Sequence, residues 1–252
     1  RPFVCWLAGL LDKSTPMPIA VSQAVADHWQ TFLKKSKVQV IHNGIPYESF
    51  LNANPTLKQE LGLSEFSVLI GMIGRINPGK GQLFFIELAD SLCKSFSEAH
   101  FVLVGDPFPG YEPILEEVKR EIREKSLETR VTYLGFREDI PEVMASLDIF
   151  VLPSVLPDSF PTVILEAMAS GKPVVATRSG GASEMVVNGE TGFLIPIGNV
   201  DQGKVVLEQL IRNSDLSQEM GNKGQLRVLN AYSLKAFEGK IINHLWQHLR
   251  EN

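Results

Sequence analysis

From Phe66 onward the chain alternates short apolar runs with longer amphipathic stretches, and no other feature restricts its fold as strongly. Apolar runs this short, bounded by Gly, Pro, Asn and Asp, read as strands buried on both faces. The stretches between them are long enough for the crossover helices that parallel strands require. Strands are expected at 67–73, 100–105, 130–134, 148–152, 173–177 and 192–195, and helices at 81–97, 113–125, 140–146, 161–170 and 182–188. The expected fold class is α/β, a doubly wound six-stranded parallel sheet. Ligands of such sheets bind outside the carboxyl ends of the strands, so the strand-to-helix loops are where chemistry is sought.

The stretch before this pattern behaves differently. Residues 18–22 read as a strand, 23–35 as a helix and 38–42 as a second strand, followed by Asn43-Gly44-Ile45-Pro46. The apolar segment 3–11 has no small-residue cleavage site after it and is expected to be buried rather than to act as a signal peptide. No apolar run reaches the roughly 20 residues that a bilayer span takes. The chain begins with Arg1, so it is expected to be a fragment or a processed product.

Charge and rare residues exclude several functions. A net charge of −5 argues against a nucleic-acid partner, because phosphate-backbone binding needs a basic face. Cys5 and Cys93 form neither a disulfide framework nor a metal-type spacing, which fits a reducing compartment. His244 and His248 have the i, i+4 spacing that can bind zinc, but only Glu251 stands nearby as a third ligand. Both read as helix-surface residues, and no metal site is expected. His28, His42 and His100 are isolated in sequence and carry no site.

The densest chemistry lies in Asp158-Ser159-Phe160-Pro161-Thr162-Val163-Ile164-Leu165-Glu166-Ala167-Met168-Ala169-Ser170-Gly171. Pro161 suits the first helical position, where its missing N–H costs nothing, and Gly171 suits the C-terminal cap. The amides of Thr162 and Val163 are then free at a helix N-terminus, which attracts phosphate. Glu166 shares the face of Thr162 and stands about 6 Å further along the axis. That reach suits a carboxylate accepting two ribose hydroxyls. Asp158 precedes the helix and can face the other end of a bound diphosphate, where a sugar would hang. An ordinary buried helix with Glu166 solvated is the alternative.

A second loop, Gly74-Arg75-Ile76-Asn77-Pro78-Gly79-Lys80-Gly81, leads from the first strand of the pattern into a helix. Lysine at a helix start opposes the macrodipole at a cost of about 0.3–1 kcal/mol, which a bound anion reverses. Arg75 offers a planar fork and Lys80 a point charge to phosphate oxygens. A solvated basic turn is the alternative. The spacing Gly-x-Gly-x-x-Gly of a dinucleotide site is incomplete around Gly71 and Gly74.

Asp158 to Gly171, continued by Lys172-Pro173-Val174-Val175-Ala176-Thr177 and Gly180-Gly181, resembles the retaining glycosyltransferases of family four, whose fold is called GT-B. The resemblance covers roughly 40–200. Family members carry two acids separated by seven residues, and Asp158 and Glu166 keep that spacing, with Asp where Glu is commoner. The resemblance implies that Arg75 and Lys80 stabilise the leaving diphosphate, and that Gly135, Phe136, Arg137 and Ile140 form the base pocket. Backbone groups of Phe136 and Arg137 would read the base edge while Ile140 packs on its face; an ordinary strand-end turn reads equally well there. Gly105, which ends the second strand of the pattern, and Gly181 would lie beside the donor. Glu184 reads more simply as a first-turn acid favoured by its helix dipole.

The resemblance also divides the chain. Residues 1–43 would end an N-terminal acceptor-binding domain, a remnant of a second Rossmann-like unit. Residues 44–232 would be the donor-binding domain, and 233–252 a closing helix crossing back, its apolar face partly orphaned. The expected activity is transfer of a hexose-type sugar from a UDP- or GDP-sugar to a saccharide or lipid-linked acceptor. No metal or other cofactor is expected, since the cations and the helix N-terminus serve the leaving group. The catalytic residues would be Asp158, Arg75 and Lys80. The donor contacts would be Glu166, Phe160, Pro161, Thr162 and Val163 with the glycines Gly74, Gly105, Gly135 and Gly181 and the base-pocket residues. Analogy points to a cytoplasmic enzyme meeting lipid-linked acceptors at the membrane surface. A nucleotide-sugar-binding module without turnover is the alternative, and an adenylate- or phosphate-binding regulatory domain a third reading.

Overall fold

The computed structural model describes residues 9, 12, 17–34 and 36–251, with the side chains of 248, 250 and 251 outside the description. The apolar segment 3–11, with Cys5, lies outside the described residues apart from Gly9. The main body is a six-stranded, all-parallel sheet of β3 (Val68–Ile73), β4 (Ala99–Val104), β5 (Val131–Gly135), β6 (Ile149–Leu152), β7 (Val174–Thr177) and β8 (Gly192–Ile195), in the order β5-β4-β3-β6-β7-β8. Each of the six expected strands forms. The apolar runs of β3, β6 and β7 are explained by burial on both faces, whereas the edge strand β5 is buried only at Val131.

Alternation along the strands supplies two cores. Leu69, Val102, Val104, Phe150, Leu152, Val174 and Ala176 face one way. They pack on α6 (Ile140–Ser146), α7 (Thr162–Ala169) and α10 (Ser214–Ala231). Ile70, Met72, Phe101, Leu103, Ile149 and Val151 face the other way, against α4 (Gln82–Cys93), α5 (Glu112–Glu124) and α9 (Val200–Arg212). Gly71 lets a helix end approach the sheet, since a Cβ there would stand 2.4 Å from Leu147 Cδ1. Its glycine serves packing, which agrees with discounting a dinucleotide motif.

A smaller unit precedes the sheet. β1 (Ile19–Ala20) pairs in parallel with β2 (Gln39–Val40), and α1 (Gln23–Gln30) joins them over a core of Ala20, Ala26, Leu33 and Val38. α1 stops short of its expected end at 35 because the Thr31 hydroxyl donates back to His28 O at 2.7 Å and Gln30 Nε2 donates to Leu33 O at 2.8 Å, turning the chain. The short helices α2 (Glu48–Leu51) and α3 (Leu57–Glu60) lead into the sheet. α8 (Ala182–Met185) ends before its expected limit because Val186 is already extended. α9 and α10 are not among the elements expected from the apolar pattern. Their signal is in the caps: Asn199 accepts from Gln202 N at 2.9 Å and Asn213 from Leu216 N at 3.0 Å.

The closing helix α11 (Leu234–Glu251) leaves Ile242, Leu245, Trp246 and Leu249 exposed along one stripe. Its start lies beside the segment after β2: Ile45 N donates to Tyr232 O at 2.9 Å, and Ile45 bridges Ser233. His244 departs from the expected helix surface. It is buried, and neither ring nitrogen has a partner among the described residues. No helix among the described residues is long and apolar enough to cross a membrane.

Candidate functional site

The chain adds β4 and β5 on one side of β3 and resumes on the other side at β6, so the loops after β3 and β6 diverge and open a crevice between them. Their backbones touch at its floor. Gly81 has φ 80, and a Cβ there would stand 2.0 Å from Pro153 O. Only glycine fits such a contact in the left-handed region. Val155 N then donates to Gly79 O at 2.8 Å. This brings Lys80 and Asp158 together as an ion pair, Nζ to Oδ2, both side chains about four-fifths buried. α4 starts at Gln82 with Gly81 as its cap, so Lys80 stands before the helix rather than in its first turn. Buried Gln82, which carried no expectation, donates from Nε2 to Arg75 O at 3.0 Å and pins the loop.

Two cavities meet at Arg75. Its guanidinium stacks on Phe108, Cζ lying 4.4 Å from the ring centroid, and both residues line both cavities. One cavity, about 350 Å³, is walled by Gly74 and Gly105 together with Phe136, Arg137 and Ile140, three of the four residues expected to hold a base. Gly135 stands behind it, accepting from Gly105 N at 2.7 Å. The Arg137 guanidinium is tied to Asp139 and Glu60 at 2.6 Å each, which raises its pKa and lowers that of Asp139. Phe136 is exposed. The other cavity, about 640 Å³, is walled by Lys80, Asp158, Tyr111 and Leu156.

The helix after Asp158 differs from expectation at one residue. Pro161 is the N-cap, in extended backbone, and Thr162 is the first helical residue. The reason is that ψ 94 at Pro161 leaves it outside the helix. No acceptor among the described residues takes the Thr162 or Val163 amide. Gly171 caps the other end at φ 68, with Gly171 N donating to Met168 O at 3.0 Å and Lys172 N to Ala167 O at 3.0 Å. Glu166 is half-buried; burial pushes its pKa up, and the neighbouring Thr162 hydroxyl opposes that. Thr162, Val163 and Glu166 are not among the walls of either cavity.

Phe160 does not offer its ring to the crevice. It is buried against His42, stacked at 5.2 Å and 11°, and against Tyr232 at 6.1 Å. Gly181 N donates to Asp158 O at 2.9 Å, so the glycine pair after β7 braces the Asp158 loop. Glu184 lies in the first turn of α8, yet its carboxylate serves a different helix. It accepts from Gln23 N at 2.9 Å, Ala24 N at 3.3 Å and His42 Nε2 at 2.8 Å. The dipole of α8 is therefore not what occupies it.

A third cavity, about 500 Å³, opens at the amino ends of the strands beside Val68, Asp148 and Lys172. Its polar groups are engaged within the fold: Lys58 pairs with Asp148 at 3.2 Å, and Lys172 Nζ donates to Ala145 O at 2.7 Å. It lies at the opposite end of the sheet from the crevice. Among the described residues no three His, Cys, Asp or Glu side chains gather as metal ligands.

The family model described as "Glycosyl transferases group 1" matches residues 53–227. The UDP-Gal:alpha-D-GlcNAc-diphosphoundecaprenol alpha-1,3-galactosyltransferase of Escherichia coli is 29% identical over 220 residues, covering 84% of this chain and 54% of the relative. The N-acetyl-alpha-D-glucosaminyl L-malate synthase of Bacillus anthracis is 30% identical over 217 residues, covering 84% and 55%. The chain thus spans about half the length of these relatives. Among solved structures, Anabaena HepE in complex with UDP and glucose is similar with a TM-score of 0.87 and 30% identity, over 96% of this chain and 66% of that one.

Proposed function

The chain belongs to the Glycosyl transferases group 1 family and has the GT-B fold, and on that premise we propose that it is the donor-binding part of a retaining hexosyltransferase using a UDP-sugar. The carrying observation is the meeting of Lys80, Asp158 and Arg75 at the carboxyl ends of β3 and β6. Support for uridine comes from Anabaena HepE, solved with UDP, and from the UDP-Gal in the name of the E. coli relative. That relative's undecaprenol-linked acceptor supports a saccharide or lipid-linked acceptor here, met at a membrane surface.

The diphosphate lies over the α7 N-terminus, where the Thr162 and Val163 amides donate and the dipole end is positive. Arg75 leaves Phe108 to fork onto phosphate oxygens, and Lys80 adds a point charge. Together they stabilise the negative charge that grows as the bond from sugar to phosphate breaks, alongside the backbone amides of Thr162 and Val163. Asp158 accepts from hydroxyls of the sugar and steadies its oxocarbenium-like transition state. Glu166 accepts from the ribose hydroxyls, and the apolar cavity at Ile140 takes the base. The cations fill the role a metal has elsewhere, so turnover is expected to persist in chelator.

Calorimetric titration with UDP, GDP and ADP and their hexose conjugates, in chelator, tests the reading. UDP and a UDP-hexose are expected to bind at about micromolar to millimolar strength, with loss of binding in Arg75→Ala/Lys80→Ala. Equal binding by wild type and that double variant would sink it.

A further inference from the structure

We infer that Glu184 and His42 are positioning residues for Asp158, acting through a closed ring of contacts that ties the β1–α1–β2 unit to the sugar-facing loop. The ring has five links. Gly181 N donates to Asp158 O at 2.9 Å, and the helix that follows carries Glu184. Glu184 Oε2 stands 2.8 Å from His42 Nε2, and since a carboxylate only accepts, Nε2 is the donor. The His42 ring is parallel to Phe160 at 5.2 Å. Phe160 follows Asp158 by two residues in the same loop, which closes the ring.

Glu184 is fixed from two further directions. Its carboxylate takes the amides of Gln23 and Ala24, while Ser22 Oγ accepts from Val25 N at 3.2 Å, so three amides at the start of α1 are satisfied, two of them by an acceptor from across the molecule. Its backbone oxygen accepts from Tyr232 OH at 3.1 Å and from Arg227 Nη2 at 2.9 Å. Tyr232 in turn packs on His42 and Phe160, at 5.7 and 6.1 Å. A loop carrying only Ser159 between Asp158 and the buried Phe160 has little freedom while the ring is closed. Opening the ring at Glu184 or His42 releases the loop without removing any group that touches the donor.

This inference rests on the donor reading above and separates two parts of it. Asp158 senses the sugar, whereas the base cavity and Glu166 sense the nucleotide. Loss of the ring is therefore expected to weaken a UDP-hexose and to spare UDP. Wild type, Glu184→Gln, His42→Ala and His42→Phe, each checked for a wild-type circular-dichroism spectrum, are titrated with UDP and with UDP-glucose. His42→Phe keeps the stack on Phe160 and loses only the bond to Glu184, so it serves as the conservative variant. The expected result is UDP affinity within about twofold of wild type in all variants. UDP-glucose affinity is expected to fall about 3- to 10-fold in His42→Ala and to recover partly in His42→Phe, on the scale of one weakened hydrogen bond between Asp158 and the sugar. UDP-glucose binding as tight in His42→Ala and Glu184→Gln as in wild type overturns the inference and leaves the donor reading intact. Equal losses for UDP and UDP-glucose overturn it as well, since they mark general loosening. No binding of UDP to the wild-type chain overturns the donor reading and the inference with it.

Discussion

Lys80 and Asp158, 78 residues apart, form an ion pair across the crevice between the loops after β3 and β6. The cation expected to meet the diphosphate and the acid expected to meet the sugar are thus held at the junction those two groups would occupy. Lys80→Met is expected to lower transfer or donor hydrolysis at least 100-fold, the scale of losing one preorganised donor to a developing charge. Asp158→Asn should weaken a UDP-hexose more than UDP. Turnover by Lys80→Met at a wild-type rate would remove Lys80 from the leaving-group role.

Glu166 gives a pH prediction. Burial raises its folded pKa above the ordinary carboxylate value. The stability it contributes is then fully present below the unfolded pKa and lost as pH rises through the folded one. Glu166→Gln should match wild type in thermal unfolding at acid pH and be the more stable protein at neutral pH. The same variant should bind UDP about 10-fold less tightly, since an amide oxygen replaces the carboxylate proposed to face two ribose hydroxyls. Parallel unfolding profiles from about pH 4 to 8 would contradict the burial argument.

Gly180 braces the Asp158 loop from the other side. It has φ 51, and a Cβ there would lie 2.0 Å from Asp158 O. Gly180→Ala is expected to cost about 1–3 kcal/mol in denaturant unfolding, from a strained backbone alone. UDP-hexose binding should fall with it. An unchanged midpoint would mean that the loop moves aside freely.

Arg137 lines the cavity proposed for the base, but its guanidinium is committed to Glu60 and Asp139. These pairs are partly exposed, so Arg137→Met should cost no more than about 1 kcal/mol of stability. UDP affinity should stay within about twofold if backbone atoms of this turn read the base. A 10-fold loss of UDP affinity would assign the base contact to the side chain instead.

How much was legible depended on how local each determinant is. The six strands of the main sheet lie within a residue of their expected bounds because most of their runs are apolar, a pattern that a sheet covered by helices imposes residue by residue, whereas β1 and β2 each end two residues short. α6 was read at its observed ends from Ile140-Pro141 onward. α9 and α10 were missed, although Asn199 and Asn213 carry side-chain caps, because caps alone are a weaker signal than apolar periodicity. Pro161 was off by one position, the usual uncertainty of a helix end.

The sequence by itself determined the six strands of the main sheet with the helices between them, the two acids around a helix N-terminus and the basic loop, since periodicity and glycine positions act over a few residues. Only the tertiary structure decided which loops face each other. It joined Lys80 to Asp158, spent Phe160 on packing, buried His244 and turned Glu184 toward the start of α1, 161 residues before it. The physical reason is that crossovers of a parallel sheet bring distant loops to one edge, and the contacts made there leave no spacing in the chain to read.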